Sequence, residues 1–227
     1  MNLNADLGEG ASDDEAILAC VDSASVACGV HAGSVSITVA TALRCIALEI
    51  EVGAHPGYDD RASFGRVELP LTVAEIEALV AFQVAGLAAI APVRYVKPHG
   101  ALYHRCQHDS AAADVLAMVA KEHGVGVVGQ PGFEIIAAAK RAGIPGYREG
   151  FADRRLRPDG SLAPRSQPGA VLDAALAAEQ AVALARTGQY DTICVHGDTP
   201  GAGRVAAAVR RAIDQAGIAT SPLGGRL

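Results

Sequence analysis

Short apolar runs alternate along this chain with longer stretches in which apolar side chains recur every three or four positions. The short runs read as strands: Asn2–Leu7, Ser25–Val30, Val52–His55, Arg94–Lys97, Gly126–Gly129, Gly146–Glu149 and Thr192–Val195. The stretches between them read as helices. Val39, Leu43, Ile46 and Ile50 share one predicted face, as do Ile76, Leu79, Val80, Val84 and Leu87, and later Val205, Val209 and Ile213. Ser12 with Glu15, and Thr72 with Glu75, fit a capping box at a helix start. Gly143 and Gly217 stand where a left-handed residue ends a helix.

The order is strand then helix, seven times, with no Ser- or Pro-rich linker to mark a second domain. Strict alternation predicts a parallel sheet with right-handed crossovers, either open and doubly wound or closed as a barrel. The polar residues decide between the two. Successive strand segments end in Asp6 and Glu9, His31, His55, His99, Glu149, and His196 with Asp198. Ring closure makes such positions converge at the C-terminal face of a barrel, whereas an open sheet strings them in a line. The expected fold is therefore a single α/β domain over residues 1–227, a (β/α)7 barrel. His104, His108 and His123 fall outside this pattern and read as helix-surface residues.

Composition narrows the function. Of 227 residues, half are hydrophobic but only 4% are aromatic and none is Trp, so Ala, Val, Leu and Ile carry the core. A net charge of −6 argues against a nucleic-acid partner. No apolar run approaches the ~20 residues that span a bilayer, and the acidic start lacks a basic leader, so a cytoplasmic protein is expected. Five cysteines without a CxxC pair point to neither a zinc ribbon nor a disulfide framework; Cys28 and Cys194 read as small core residues. Neither GxxxxGK[ST] nor a GxGxxG after a strand is present, so ATP binding through a phosphate loop of this chain is not expected.

Two chemistries fit the strand-end residues. Asp6, His31, His55, His99 and His196 suit a divalent metal, with Asp6, His31 and His55 as the ligand set put forward. The same groups also suit metal-free acid–base catalysis. The stretch HGDTPGAG (196–203) could present a helix N-terminus to phosphate or carboxylate. Two long polar loops, 59–66 and 151–165, bring arginines such as Arg66 and Arg154 that can pair with a carboxylate. In YVKPHG (95–100), Lys97 and His99 alternate along one strand and face the same side, and Gly100 leaves room for a ligand.

Six ordered blocks resemble the LamB/YcsF family: NADLGEG (4–10), SVACGVHAG (25–33), GAHPGYDDRASFGR (53–66), VKPHGALY (96–103), EGFADRRLRPDGSLAPRSQPGA (149–170) and CVHGDTP (194–200). The resemblance implies a barrel of the glycoside hydrolase and deacetylase type. It also implies 5-oxoprolinase chemistry: ring opening of 5-oxo-L-proline to L-glutamate, coupled to ATP used by a complex with 5-oxoprolinase subunits B and C. Those partners would activate the lactam by phosphorylation. The chain departs from the family where Ser34 and Val35 replace an Asp and a Pro, and where Ser25 replaces an Asn.

Within that reading, Asp6 or Glu9 serves as base or ligand, and His31, His55 and His99 line the reaction centre. Lys97 stabilises an anionic intermediate or holds its phosphate, and His196 with Asp198 closes the ring of contacts. Two other readings stay open: a metal-dependent deacetylase acting on a sugar or small amide, and a non-catalytic carrier protein of the complex. The sequence is also compatible with a homo-oligomer.

Overall fold

The computed structural model describes residues 1–157 and 160–224. Positions 158 and 159 of the predicted loop 151–165 lie outside the described residues, as does the end of the chain from 225. Seven parallel strands close into a barrel in sequence order, and β1 pairs with β7 to seal it. The strands are β1 (Asn2–Leu7), β2 (Ser23–Ala27), β3 (Glu51–His55), β4 (Val93–Val96), β5 (Gly126–Gly129), β6 (Gly146–Phe151) and β7 (Thr192–His196). The helices around them are α1 (Asp14–Leu18), α2 (Val35–Ala47), α3 (Val73–Ala88), α4 (Gly100–His108), α5 (Ser110–Glu122), α6 (Glu134–Ala142), α7 (Ala174–Arg186) and α8 (Ala202–Gln215). Two helices, α4 and α5, fill the crossover between β4 and β5.

Alternation along β1 explains the layering. Leu3, Ala5 and Leu7 face outward into the hydrophobic layer beneath the helices. Asn2, Asn4 and Asp6 face the lumen, which is unusually polar for a barrel whose interior is commonly filled by branched apolar residues. Each buried polar group there is answered. Ser23 Oγ and Thr192 Oγ1 donate to Asn2 Oδ1 at 2.9 and 2.8 Å, and Asn4 Nδ2 donates to Thr192 Oγ1 at 2.6 Å. Tyr95 lies across the lumen over Gly53, where a Cβ would come within 2.1 Å of the ring. A side chain at 53 would expel the tyrosine.

Several local expectations need correction. The face of α2 predicted from Val39, Leu43 and Ile46 is rotated outward: Leu43 is 53% and Ile46 42% exposed. Thr38, Thr41, Ala42 and Cys45 are buried instead. Small residues let the helix sit close to the sheet, and Thr38 Oγ1 donates to the Ala27 carbonyl at 2.7 Å. Strand β2 ends at Ala27, ahead of a turn at Gly29 with φ +76°, so His31 stands on the loop rather than at the strand end. Ser12 does not cap α1. Its hydroxyl meets Asp13 and Glu15 pairs with Arg44. The Thr72–Glu75 capping box of α3 is formed, as are the left-handed glycines at 143 and 217.

Candidate active site

The C-terminal face of the barrel gathers the strand-end residues into two adjoining buried centres under one cavity. In the first, Lys97 follows β4 directly and its backbone N–H still bonds to Ala54 O at 2.9 Å, as if the strand continued. Its ammonium points into the lumen, 2.8 Å from Asp6 Oδ1 and 2.7 Å from Glu149 Oε1, with Cys194 Sγ at 3.1 Å. Burial opposes a charge on Lys97, but Asp6 and Glu149 hold its pKa well above the ordinary lysine value. Burial also opposes the Asp6 charge. Lys97, with His55 and His196 once protonated, nonetheless keeps that carboxyl below its usual range. Glu149 goes the other way: burial, with the Asp6 charge, pushes it up against the pull of Lys97. One ammonium thus serves two carboxylates, and its protons are committed. Tyr103 Oη donates to the far oxygen of Glu149 at 3.2 Å.

The second centre forms around Glu9, in the loop after β1. Its Oε1 lies 3.4 Å from His31 Nε2, 3.1 Å from His99 Nδ1 and 3.9 Å from His55 Nε2. Burial works against its charge, yet the His31 and His99 imidazoles beside it bring its pKa well below the ordinary value. His55 closes β3, and burial pushes its pKa down to about 3. Burial likewise lowers His31, whose ring stacks on His99 at 4.0 Å with planes 8° apart. The loop 59–66 supplies the outer wall. Phe64 there has φ +57°, a strained value for an aromatic residue, which aims its carbonyl at His99 Nε2, 2.9 Å away.

Of the three ligands put forward from sequence, His31 and His55 share this group, together with Glu9 and His99. Asp6 belongs to another, with Cys194 and His196. The Lys97 ammonium already occupies the neighbourhood of that second group, and burial raises the Cys194 thiol far above its usual pKa. With the ammonium in place and the thiol held protonated, this group does not suit a metal ion. The residues that fit a metal are those around Glu9.

His196, at the end of β7, opens onto the cavity. Its Nδ1 lies 2.9 Å from Asp153 Oδ1, and its backbone N–H donates to Asp153 Oδ2 at 3.1 Å. A carboxylate accepts only, so Nδ1 carries the proton and Nε2 faces the cavity with a free lone pair. Asp198 does not join this ring of contacts directly. It is held by Arg66 and Arg165, the latter at 2.9 Å, and braces the loops over the mouth. The cavity measures about 500 Å³, with Lys97, His99 and His196 toward its floor and Arg66, Arg154 and Arg165 among its walls. Arg154 is 6% exposed; one of its Nη atoms donates to Ala163 O, and its Nε has no partner among the described residues. Burial and the neighbouring Arg165 lower its pKa to about 10.

Two expected binding features turn out to be structural. Gly100 has φ +54°, and a Cβ there would lie 2.6 Å from Gly65 O, so this glycine admits the 59–66 loop, whose Gly65 O accepts from Ala101 N. The N-terminus of α8 is already filled by Asp13, whose carboxylate accepts from Gly203 N at 3.0 Å. Ser34, the departure beside His31, caps α2 by accepting from Ile37 N at 3.2 Å. Serine and aspartate cap equally well, so the missing carboxylate changes little locally. The residues that sequence reasoning did not carry as candidates are Glu149, Asp153, Tyr103 and Arg165. Glu149 had the inward parity and strand-end position to be found. Asp153 and Arg165 sat in a loop whose path no periodicity describes.

A LamB/YcsF family model matches residues 1–226. The chain belongs to the LamB/YcsF family. A relative from Streptomyces griseus, named as the A subunit of 5-oxoprolinase, is 43% identical, over 96% of this chain and 97% of its own length. The crystal structure of a lactam utilization protein from Thermus thermophilus superposes with a TM-score of 0.90 at 35% identity, covering 97% of this chain and 98% of that one. A family 4 carbohydrate esterase from Streptomyces lividans shares the barrel fold, at TM-score 0.56 and 8% identity, over 97% of this chain and 90% of that one. The expected (β/α)7 architecture and the resemblance seen in the six sequence blocks are thus both met. No helix among the described residues is long and apolar enough to cross a membrane.

Proposed function

We propose that this LamB/YcsF chain is the A subunit of an ATP-hydrolysing 5-oxoprolinase and carries the step that opens the lactam of 5-oxo-L-proline to L-glutamate. The observation that carries the reading is its likeness, along nearly the whole of both chains, to a relative that bears the name of that A subunit. Subunits B and C are its partners in this proposal. They transfer a phosphoryl group from ATP to the lactam oxygen, a division of labour that suits a chain without a phosphate loop. ATP consumption assigns the reaction to the cytoplasm.

The site supports the chemistry. An unstrained amide needs an activated water, an answer to negative charge on the carbonyl oxygen, and a proton for the leaving nitrogen. His196 Nε2, its tautomer fixed by Asp153, takes a proton from water as the oxygen adds to the lactam carbonyl carbon. As the C–N bond breaks, the same imidazole returns that proton to the nitrogen and the new hydroxyl's proton follows, leaving γ-glutamyl phosphate, which a second water hydrolyses to L-glutamate and inorganic phosphate. Arg154 and Arg66 meet the anionic groups of the substrate, a carboxylate and a phosphoryl group. Lys97 holds Asp6 and Glu149 in place below rather than touching the oxyanion itself.

Reconstitution with the candidate B and C subunits tests the reading, following 5-oxoproline, ATP and glutamate together. Stoichiometric glutamate that requires this chain is the expected result. Glutamate formed equally well without it, or no glutamate in the full assembly, overturns the proposal. In that assay Asp153→Asn should lower kcat by about 10²- to 10⁴-fold with little change in KM, since it releases the general base from its tautomer.

A further inference from the structure

The hydrogen bonds around Glu9 fix more than orientation. His55 Nδ1 lies 2.7 Å from the Lys97 carbonyl, and His99 Nε2 lies 2.9 Å from the Phe64 carbonyl. A carbonyl only accepts, so each of these outer nitrogens carries its ring's proton. The inner nitrogens, His55 Nε2 and His99 Nδ1, are then bare, and they face each other at 3.0 Å. Glu9 Oε1 lies 3.1 Å from the His99 nitrogen and 3.9 Å from the His55 nitrogen, another atom that only accepts. His31 Nε2 stands 3.4 Å from the same oxygen, and its Nδ1 has no partner among the described residues.

Lone pairs converging at such distances repel unless something positive lies between them. At the Lys97 centre an ammonium does this for Asp6 and Glu149. Among the described residues Glu9 has ion-pair partners only in the three histidines. The four inner atoms all fall within 4.8 Å of one another. A tetrahedral site with bonds of 2.0–2.1 Å has edges of about 3.3 Å, and the separations among His55 Nε2, His99 Nδ1 and Glu9 Oε1, 3.0, 3.1 and 3.9 Å, bracket that edge. The His31 ring lies parallel to His99 and does not aim at the same point. Backbone carbonyls on the outer nitrogens of ligating histidines are the usual means of holding such rings. His55 and His99 also line the cavity, which gives an ion a way in.

We infer that Glu9, His55 and His99 bind one divalent ion of the zinc class, chosen by two crossed imidazoles and a carboxylate with the fourth position open, while His31 stacks on His99 beside it. The inference does not depend on the lactam reaction, because binding is read without activity. The rival occupant is a single proton shared between His55 and His99.

Metal-free full-length protein titrated with zinc chloride by calorimetry, and with cobalt(II) by visible absorption, decides between them. One zinc per chain and the intense bands of four-coordinate cobalt are expected. Glu9→Gln and His99→Gln should each weaken binding at least about tenfold, the loss that even an outer-shell change can bring. The double variant His104→Ala/His108→Ala, which removes the exposed pair on α4, should bind as the parent does. Should the Glu9 and His99 variants fail to fold by circular dichroism, the parent's stoichiometry and cobalt spectrum still decide. No saturable binding, cobalt bands absent, or binding lost only in the His104/His108 variant would overturn the inference.

Discussion

Two acidic centres lie side by side at the mouth of this barrel, and they solve the same physical difficulty differently. Around Lys97, two buried carboxylates share one permanent cation that the chain supplies. Around Glu9, one buried carboxylate is answered by three imidazoles. A permanent charge closes the first centre and commits its hydrogen bonds. The second keeps lone pairs directed at a common point. The first is therefore a keel for the strands it joins, β1, β4 and β6, while the second is open to a ligand. Sharing one ammonium also leaves Glu149 worse placed than Glu9, as their opposite pKa directions record.

The sharpest way to break the contrast is to remove the internal cation. Lys97→Met leaves Asp6 and Glu149 buried without their partner and should cost about 3–5 kcal/mol of stability, the range for an ion pair broken on one side. Urea denaturation of the purified chain reads it. A cost below about 1 kcal/mol, the range of an exposed pair, would mean the keel is not one. Glu9→Gln comes next. It keeps an acceptor but gives up the charge-assisted bond from His31, so a loss of about 2 kcal/mol is expected in metal-free protein at neutral pH.

Glu149→Gln should be the mildest, within about 1 kcal/mol at neutral pH, because burial and Asp6 already oppose the charge it removes. Its signature is the pH dependence. A carboxyl whose pKa is raised in the fold binds more protons folded than unfolded once pH exceeds the unfolded value of 4.5. Stability then falls as pH rises from that value through the folded pKa. The variant should lose this falling component, which denaturation midpoints taken at intervals upward from pH 4.5 would show. A parent and variant with parallel profiles would contradict the assignment.

Much of the fold is legible in the sequence. The short apolar runs marked all seven strands, and β1 and β5 fall where the runs fall, whereas β2 begins and ends earlier than its run. Helix faces were legible only where packing followed hydrophobicity. On α3, Ile76, Val80, Val84 and Leu87 are buried as their spacing requires. On α2 the closer approach allowed by Thr38, Ala42 and Cys45 outweighed the area of Leu43 and Ile46. In the candidate site, residues on strands or just beyond them, such as Asp6, His55, Lys97 and His99, could be nominated because strand ends converge. Loop residues could not, since their positions depend on where a long chain returns.

Strand–helix alternation repeated seven times, polar chemistry at the strand ends and the ordered blocks of the LamB/YcsF family are all present in the linear chain. Those are local properties, set by side-chain period and by short contiguous motifs. Which carboxylate meets which cation is set by the closed barrel. Asp6 and Glu149 come from strands 143 residues apart in sequence (149 − 6) yet share Lys97. Asp153 reaches His196, and Glu9 rather than Asp6 gathers the three histidines. Barrel closure and the return of two loops set those partnerships, because separations of a few ångströms across a lumen are written in no single segment of the chain.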